Sequence, residues 1–174
     1  LGGLVLPTLF IGTERERSPE MLRSIGFSGA EYIVGMDFPA NSLASLYFRE
    51  ETLAVVMRDF LEMLVEKWLF EKIVIVNGHG GENHLAVLVR LQKEFNARKC
   101  CRVLMVMPTL NYPRGAWSHA TMEETATLMA LYPSTVKLEA LPSPKKKLAN
   151  VGWAIVDDLT FRGRPTADHT VRRK

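Results

Sequence analysis

Lys72-Ile73-Val74-Ile75-Val76-Asn77-Gly78-His79-Gly80-Gly81-Glu82-Asn83-His84 is the stretch on which the fold turns. A charged residue leads into four β-branched apolar residues, the composition of a strand buried in a parallel sheet. The run breaks at Asn77-Gly78-His79-Gly80-Gly81, and Glu82, Asn83 and His84 then open a helical pattern. In open α/β sheets ligands bind outside the carboxyl ends of strands, which is where this break falls. An imidazole, a carboxylate and an amide stand there among glycines that let backbone approach a ligand closely. A metal or a polar substrate is the expected tenant.

Helical spacing flanks this strand on both sides. Over residues 49 to 69, Leu53, Val56, Phe60, Leu61, Leu64 and Trp68 recur at intervals of three and four, opposite Arg58, Asp59, Glu62 and Glu66. A second helix is predicted over about 82 to 97, carrying Leu85, Val87, Leu88, Leu91 and Phe95. Val103-Leu104-Met105-Val106-Met107 reads as another buried strand, and a helix follows at about 121 to 131. This alternation predicts an α/β fold with a parallel sheet covered on both faces. Upstream, Leu4 to Phe10 reads as a short strand that Pro7 restricts or ends. Residues 12 to 47 are loop-rich, with a short helix from about Pro19 to Ile25, Ser18 as its N-cap and proline at the first helical position. Beyond Pro133 the chain is irregular, with short strands near 135 to 140 and 153 to 161. No internal repeat or strong linker interrupts it, so residues 1–174 read as one domain.

Bulk composition narrows the functional classes. The chain has 174 residues, 47% of them apolar and 24% charged, with a net charge of +3. These are ordinary values for a globular protein with one sizeable core. Lys145-Lys146-Lys147 and Arg172-Arg173-Lys174 supply much of the basic excess, and neither run carries the interleaved aromatics of a nucleic-acid surface. Cys100 and Cys101 are adjacent, which argues against a disulfide between them and fits a reduced, cytoplasmic setting. No apolar stretch approaches the ~18 residues of a membrane span.

Two clusters carry chemistry. His79 and Glu82 suit divalent-metal ligation by one nitrogen and one carboxylate oxygen. The plainer alternative has His79 capping the loop and Glu82 favouring the helix N-terminus. Asn77 reads as a turn residue bonded to its own backbone, and His84, further into the helix, as structural or exposed. The second cluster is Trp117-Ser118-His119-Ala120-Thr121-Met122-Glu123-Glu124-Thr125, again after a strand. His119 and Glu124 could be a helix-start signature or a second half of the same site. Two consecutive strands each followed by a histidine and a glutamate would present both imidazoles at one edge of the sheet. A metal at the first would acidify water and the second would move a proton. Trp117 would wall the pocket or simply pack. Asn41, Ser42 and Ser45 could touch substrate or serve as caps and turns. Gly-x-Ser-x-Gly, Gly-x-Gly-x-x-Gly and phosphate-loop patterns are missing, which disfavours serine hydrolases and nucleotide binders.

Taken together, these stretches resemble the creatininase family of metal-dependent amidohydrolases over about Leu4 to Leu138. Val76-Asn77-Gly78-His79-Gly80-Gly81-Glu82-Asn83 is similar to the family's Asn-Gly-His metal loop, and His119-Ala120-Thr121-Met122-Glu123-Glu124-Thr125 to its His-Ala-Gly-x-x-Glu-Thr motif. Phe38-Pro39 and the serine-containing stretch match the segment before the metal loop. The resemblance implies a three-layer α/β/α fold with a mostly parallel sheet. It also implies two divalent ions (zinc, manganese or iron), a small-molecule amide substrate and a homo-oligomer, often a hexamer. By position, His79 and Glu82 would bind metal, His119 and Glu124 would serve catalysis, and Ser45, Gly80 and Trp117 would meet substrate. The family's Glu-x-His strand and later bridging Asp would precede Leu1, so the expectation is an N-terminally incomplete domain with an incomplete metal centre. Glu14-Arg15-Glu16 reads as no substitute, since it lacks histidine and follows the wrong strand. The alternative function is a non-catalytic α/β member serving assembly or small-molecule binding.

Overall fold

The computed structural model describes residues 3–35, 37, 44–107, 122–141, 143, 147–148, 150–151, 154–155 and 169–170. Along the chain run α1 (Pro19–Ser24), α2 (Glu50–Glu62), β1 (Lys72–Val76), α3 (Glu82–Ala97), β2 (Arg102–Val106) and α4 (Met122–Leu131). Four two-residue strands come after them: β3 (Lys147–Leu148), β4 (Asn150–Val151), β5 (Ala154–Ile155) and β6 (His169–Thr170). The chain divides into two compact units, Leu1–Arg17 with Tyr32–Gly35 and Ser45–Thr109, and Ser18–Glu31 with Met36–Ala44 and Leu110–Lys174.

In the first unit β1 and β2 pair in parallel, Lys72 opposite Arg102 and Val76 opposite Val106, with α3 as the crossover. Side chains alternate along a strand. Ile73, Ile75, Val103 and Met105 therefore meet the core, where Leu53, Met57 and Leu61 of α2 join Val87, Leu88, Leu91 and Phe95 of α3. Val74, Val76 and Leu104 occupy the opposite face and are 57%, 68% and 50% exposed. The α/β class with a parallel sheet is thus present. Among the described residues, however, apolar packing covers one face of the strand pair, not both.

The outer edge of β2 is closed by α3. Asn96 accepts the Val103 N–H through Oδ1 (2.8 Å) and donates Nδ2 to the Val103 carbonyl (3.0 Å), while Gln92 Oε1 accepts the Met105 N–H (2.7 Å). A strand edge with bonded N–H groups is no template for a further strand.

Helix α2 departs from the predicted stripe at Val56, which is 39% exposed, and again at its end. It runs into a π-helical turn, Met63–Lys67, closed by Trp68 N–H to the Met63 carbonyl (3.2 Å). A π turn inserts an extra residue and rotates the side chains beyond it. Trp68, expected on the buried stripe, is consequently 63% exposed, and Leu69 leaves the helix at φ 56°. The strand expected at Leu4 to Phe10 does not form either. That segment is mostly exposed, Pro7 lacks an N–H to donate, and the nearest pairing is a single bridge between Thr13 and Phe48.

In the second unit α1 begins as predicted, with proline in its first turn and Ser18 Oγ accepting the Met21 N–H at 3.1 Å. Where a strand was expected near 135 to 140 there are two 3₁₀ turns, Pro133–Thr135 and Leu138–Ala140. Pro133 presets the tight φ, and the Val136 and Leu141 N–H groups close onto carbonyls three residues back. Beyond them β3 pairs with β6 and β4 with β5, both antiparallel. No helix among the described residues is long and apolar enough to cross a membrane.

Candidate functional site

The turn after β1 is built around one amide. Asn77 extends the ladder by donating its N–H to the Val106 carbonyl (2.8 Å). Its buried side chain then folds over the turn, Nδ2 donating to the His79 carbonyl (2.7 Å) and Oδ1 accepting the His79 N–H (3.2 Å). This is the local bond the sequence predicts for an asparagine before glycine. The same Oδ1 lies 3.1 Å from His84 Nε2.

His84 is held from both ends. Its Nδ1 accepts the backbone N–H of Thr13 at 3.3 Å, so that nitrogen carries no hydrogen and Nε2–H donates to Asn77. Burial, and secondarily the neighbouring His79, push its pKa down to about 4. With both nitrogens engaged, the ring is a neutral strut joining the 12–17 loop to α3 and is no metal ligand.

His79 is placed differently. Its ring stacks on Tyr47 (centroids 5.2 Å, planes 30° apart) and meets His84 edge-on (5.0 Å, 84°). Its Nε2 is buried, has no hydrogen-bond partner, and stands 3.8 Å from Glu14 Oε2. That separation is too long for a hydrogen bond. A Cβ on Gly81 would lie 2.5 Å from the same Nε2. Gly81 has φ −56°, which any residue adopts, so glycine is required there for space and not for backbone freedom.

Glu14 is itself fixed. Arg17 Nη2 donates to Glu14 Oε1 (2.6 Å) and to the Gly35 carbonyl (2.5 Å), from a side chain only 2% exposed. The Gly35 N–H returns a bond to the Glu14 carbonyl at 2.9 Å. One carboxylate oxygen is thereby tied down and the other is left toward His79. Glu16 plays a separate part. Its Oε2 accepts from Thr13 Oγ1 (3.4 Å), Asn83 Nδ2 (3.3 Å) and the Glu50 N–H (3.2 Å). An acceptor at the first residue of α2 caps that helix and complements its dipole. Read from sequence, Glu14-Arg15-Glu16 is no substitute for a ligand strand; folded, it supplies the carboxylate oxygen that faces His79. No local pattern announces this contact, because it arises when the 12–17 loop packs onto the turn after β1.

The other predicted residues are spread more widely. Glu82 is exposed at the first residue of α3, and Gly80 is exposed on the turn, its Cα side toward Met107. Ser45 is half-buried, its Oγ 2.7 Å from where a Cβ on Gly35 would stand. Glu124 is exposed in α4 of the second unit. Trp117 and His119 lie outside the described residues, as do Asn41 and Ser42.

Among the described residues no group of three or more His, Cys, Asp or Glu is arranged to hold a metal ion. Two donors do converge. An orphaned imidazole nitrogen facing a fixed carboxylate oxygen, over a glycine that keeps the space open, fits one divalent cation with its remaining positions left to water or other groups. A family model described as Creatininase: Creatinine amidohydrolase matches residues 3–167. No curated protein and no solved structure matches the chain.

Proposed function

The chain belongs to the creatininase family, and from that premise we propose that it is a metal-dependent amidohydrolase acting on the C–N bond of a small cyclic or linear amide. The observation that carries the reading is the buried, unpartnered Nε2 of His79 at the carboxyl end of β1. A divalent cation held there, zinc, manganese or iron, would polarise the amide carbonyl and acidify water. By the resemblance of the turn, His79 would bind one ion and Glu82 a second. His119 passes a proton to the leaving nitrogen, and Glu124 supports it. Ser45, Gly80 and Trp117 line the substrate. Tyr47, stacked on His79, restrains the imidazole plane so that Nε2 keeps its aim. The protein works as a cytoplasmic homo-oligomer.

The test is turnover of a panel of amides, creatinine among them, by protein loaded with Mn²⁺ or Zn²⁺, following amine release or ring opening. The expected result is hydrolysis that His79→Ala lowers by at least about a hundredfold, the order of a lost polarising group. Metal uptake with no turnover of any amide would overturn the enzymatic reading in favour of a non-catalytic binding or assembly role.

A further inference from the structure

We infer that Glu14, and not Glu82, is the carboxylate that shares a divalent cation with His79. This rests on the reading above in one respect, that a cation occupies the position facing His79 Nε2.

Distance is the first argument. Ligand bonds to a cation of this class are about 2.1 Å, so two donors to one ion stand at most about 4.2 Å apart. The 3.8 Å between His79 Nε2 and Glu14 Oε2 falls inside that limit and outside hydrogen-bond range. The gap is the width that one bridging atom fills. Burial is the second: Nε2 has given up water and received no partner, a cost that a ligand bond would remove.

The third argument is orientation. Arg17, buried and bonded to Glu14 Oε1 at 2.6 Å, fixes the carboxylate before any ion arrives, the way an outer-shell partner orients a metal ligand. It leaves Oε2 as a single-oxygen donor. Glu82 is placed differently: it is exposed, in the first turn of α3, where an acidic side chain complements the helix dipole. One nitrogen and one carboxylate oxygen, completed by water, suit a hard ion such as Mn²⁺ better than zinc, which asks for three protein ligands.

Mn²⁺ alone is the probe, titrated into the full chain and followed by the electron paramagnetic resonance signal of the free ion. His79→Ala and Glu14→Gln are each expected to weaken binding by about tenfold or more, and Glu82→Gln by less than about twofold. Glu14→Gln deprives buried Arg17 of its counter-charge, so Glu14→Asp is measured beside it. Asp keeps the charge and withdraws the oxygen by one methylene, and the same loss of affinity is expected with the melting temperature held. If His79→Ala abolishes binding while Glu14→Asp and Glu14→Gln leave it unchanged, Glu14 is not a ligand and the inference fails alone. Loss confined to Glu82→Gln overturns it in favour of the sequence-matched carboxylate. Wild-type protein that takes up no Mn²⁺ brings down the metal reading and this inference together.

Discussion

His84 cannot take a second proton without losing the Thr13 N–H bond that its Nδ1 accepts. Burial reinforces this and holds its pKa at about 4, against about 6.5 for an ordinary histidine. Because the folded pKa is the lower, the unfolded chain binds more protons between those two values, and stability rises with pH across that window. The contribution is complete above pH 6.5 and is lost as pH falls toward 4, with an upper bound of about 3 kcal/mol. Urea midpoints measured from pH 4 to 7 should therefore climb steeply in wild type, and His84→Leu should flatten the climb. Equal slopes in the two proteins would show that another group titrates. Gly81→Ala tests the neighbouring residue by sterics alone. Its Cβ would stand 2.5 Å from His79 Nε2 and 3.2 Å from the Thr13 carbonyl oxygen, at a φ that alanine adopts without strain. The ring must turn away, so Mn²⁺ affinity is expected to fall by about tenfold or more. The cost in folding should stay near 1 kcal/mol, as for most single substitutions. Retained affinity would mean that His79 has room to swing and still bind.

Helix α3 does two things at once, and only one of them is legible in its apolar spacing. Of the predicted apolar residues, Val87, Leu88, Leu91 and Phe95 are buried and Leu85 is half-buried. Gln92 and Asn96, polar residues that apolar spacing leaves unassigned, satisfy the outer edge of β2. Asn96→Ala leaves the Val103 N–H and carbonyl without side-chain partners beside a core strand. Urea unfolding should show a loss of about 1–3 kcal/mol, the cost of buried backbone groups left unmade. A loss below about 0.5 kcal/mol would mean that water reaches that edge. The same contrast between local and non-local causes explains what the sequence conveyed. Strand β1, its turn and helix α3 follow from period and breaker residues, and their predicted bounds match to within a residue. The π turn at Met63–Lys67 and the absent strand at Leu4 to Phe10 depend on what lies beside those segments in space, which periodicity does not carry. At the candidate site, Asn77 and His79 announce themselves through an Asn-Gly turn at a strand end. Glu14, Arg17 and the strut role of His84 do not, because each acquires its meaning from a partner far away in sequence.

For the whole molecule, the two compact units give cation binding a spatial signature. The proposed donors Glu14 and His79 both belong to the first unit, together with β1, α3 and β2. A ligand that binds only the native state adds RT ln(1 + [L]/Kd), about 2.7 kcal/mol at a hundred times Kd. Amides that exchange only when this unit opens should slow by about a hundredfold under that loading. Hydrogen exchange read by mass spectrometry is therefore expected to show strong Mn²⁺-dependent protection in peptides spanning β1 and α3. Peptides from α4 and the 3₁₀ turns after it, in the second unit, should exchange at nearly unchanged rates. His79→Ala should erase the protection throughout. Equal slowing in α4 would show that the two units open as one cooperative body, so that the division by contacts is not a division in stability. Protection that survives in His79→Ala would locate the ion elsewhere, and the donor pair at the end of β1 would lose its claim to be the site.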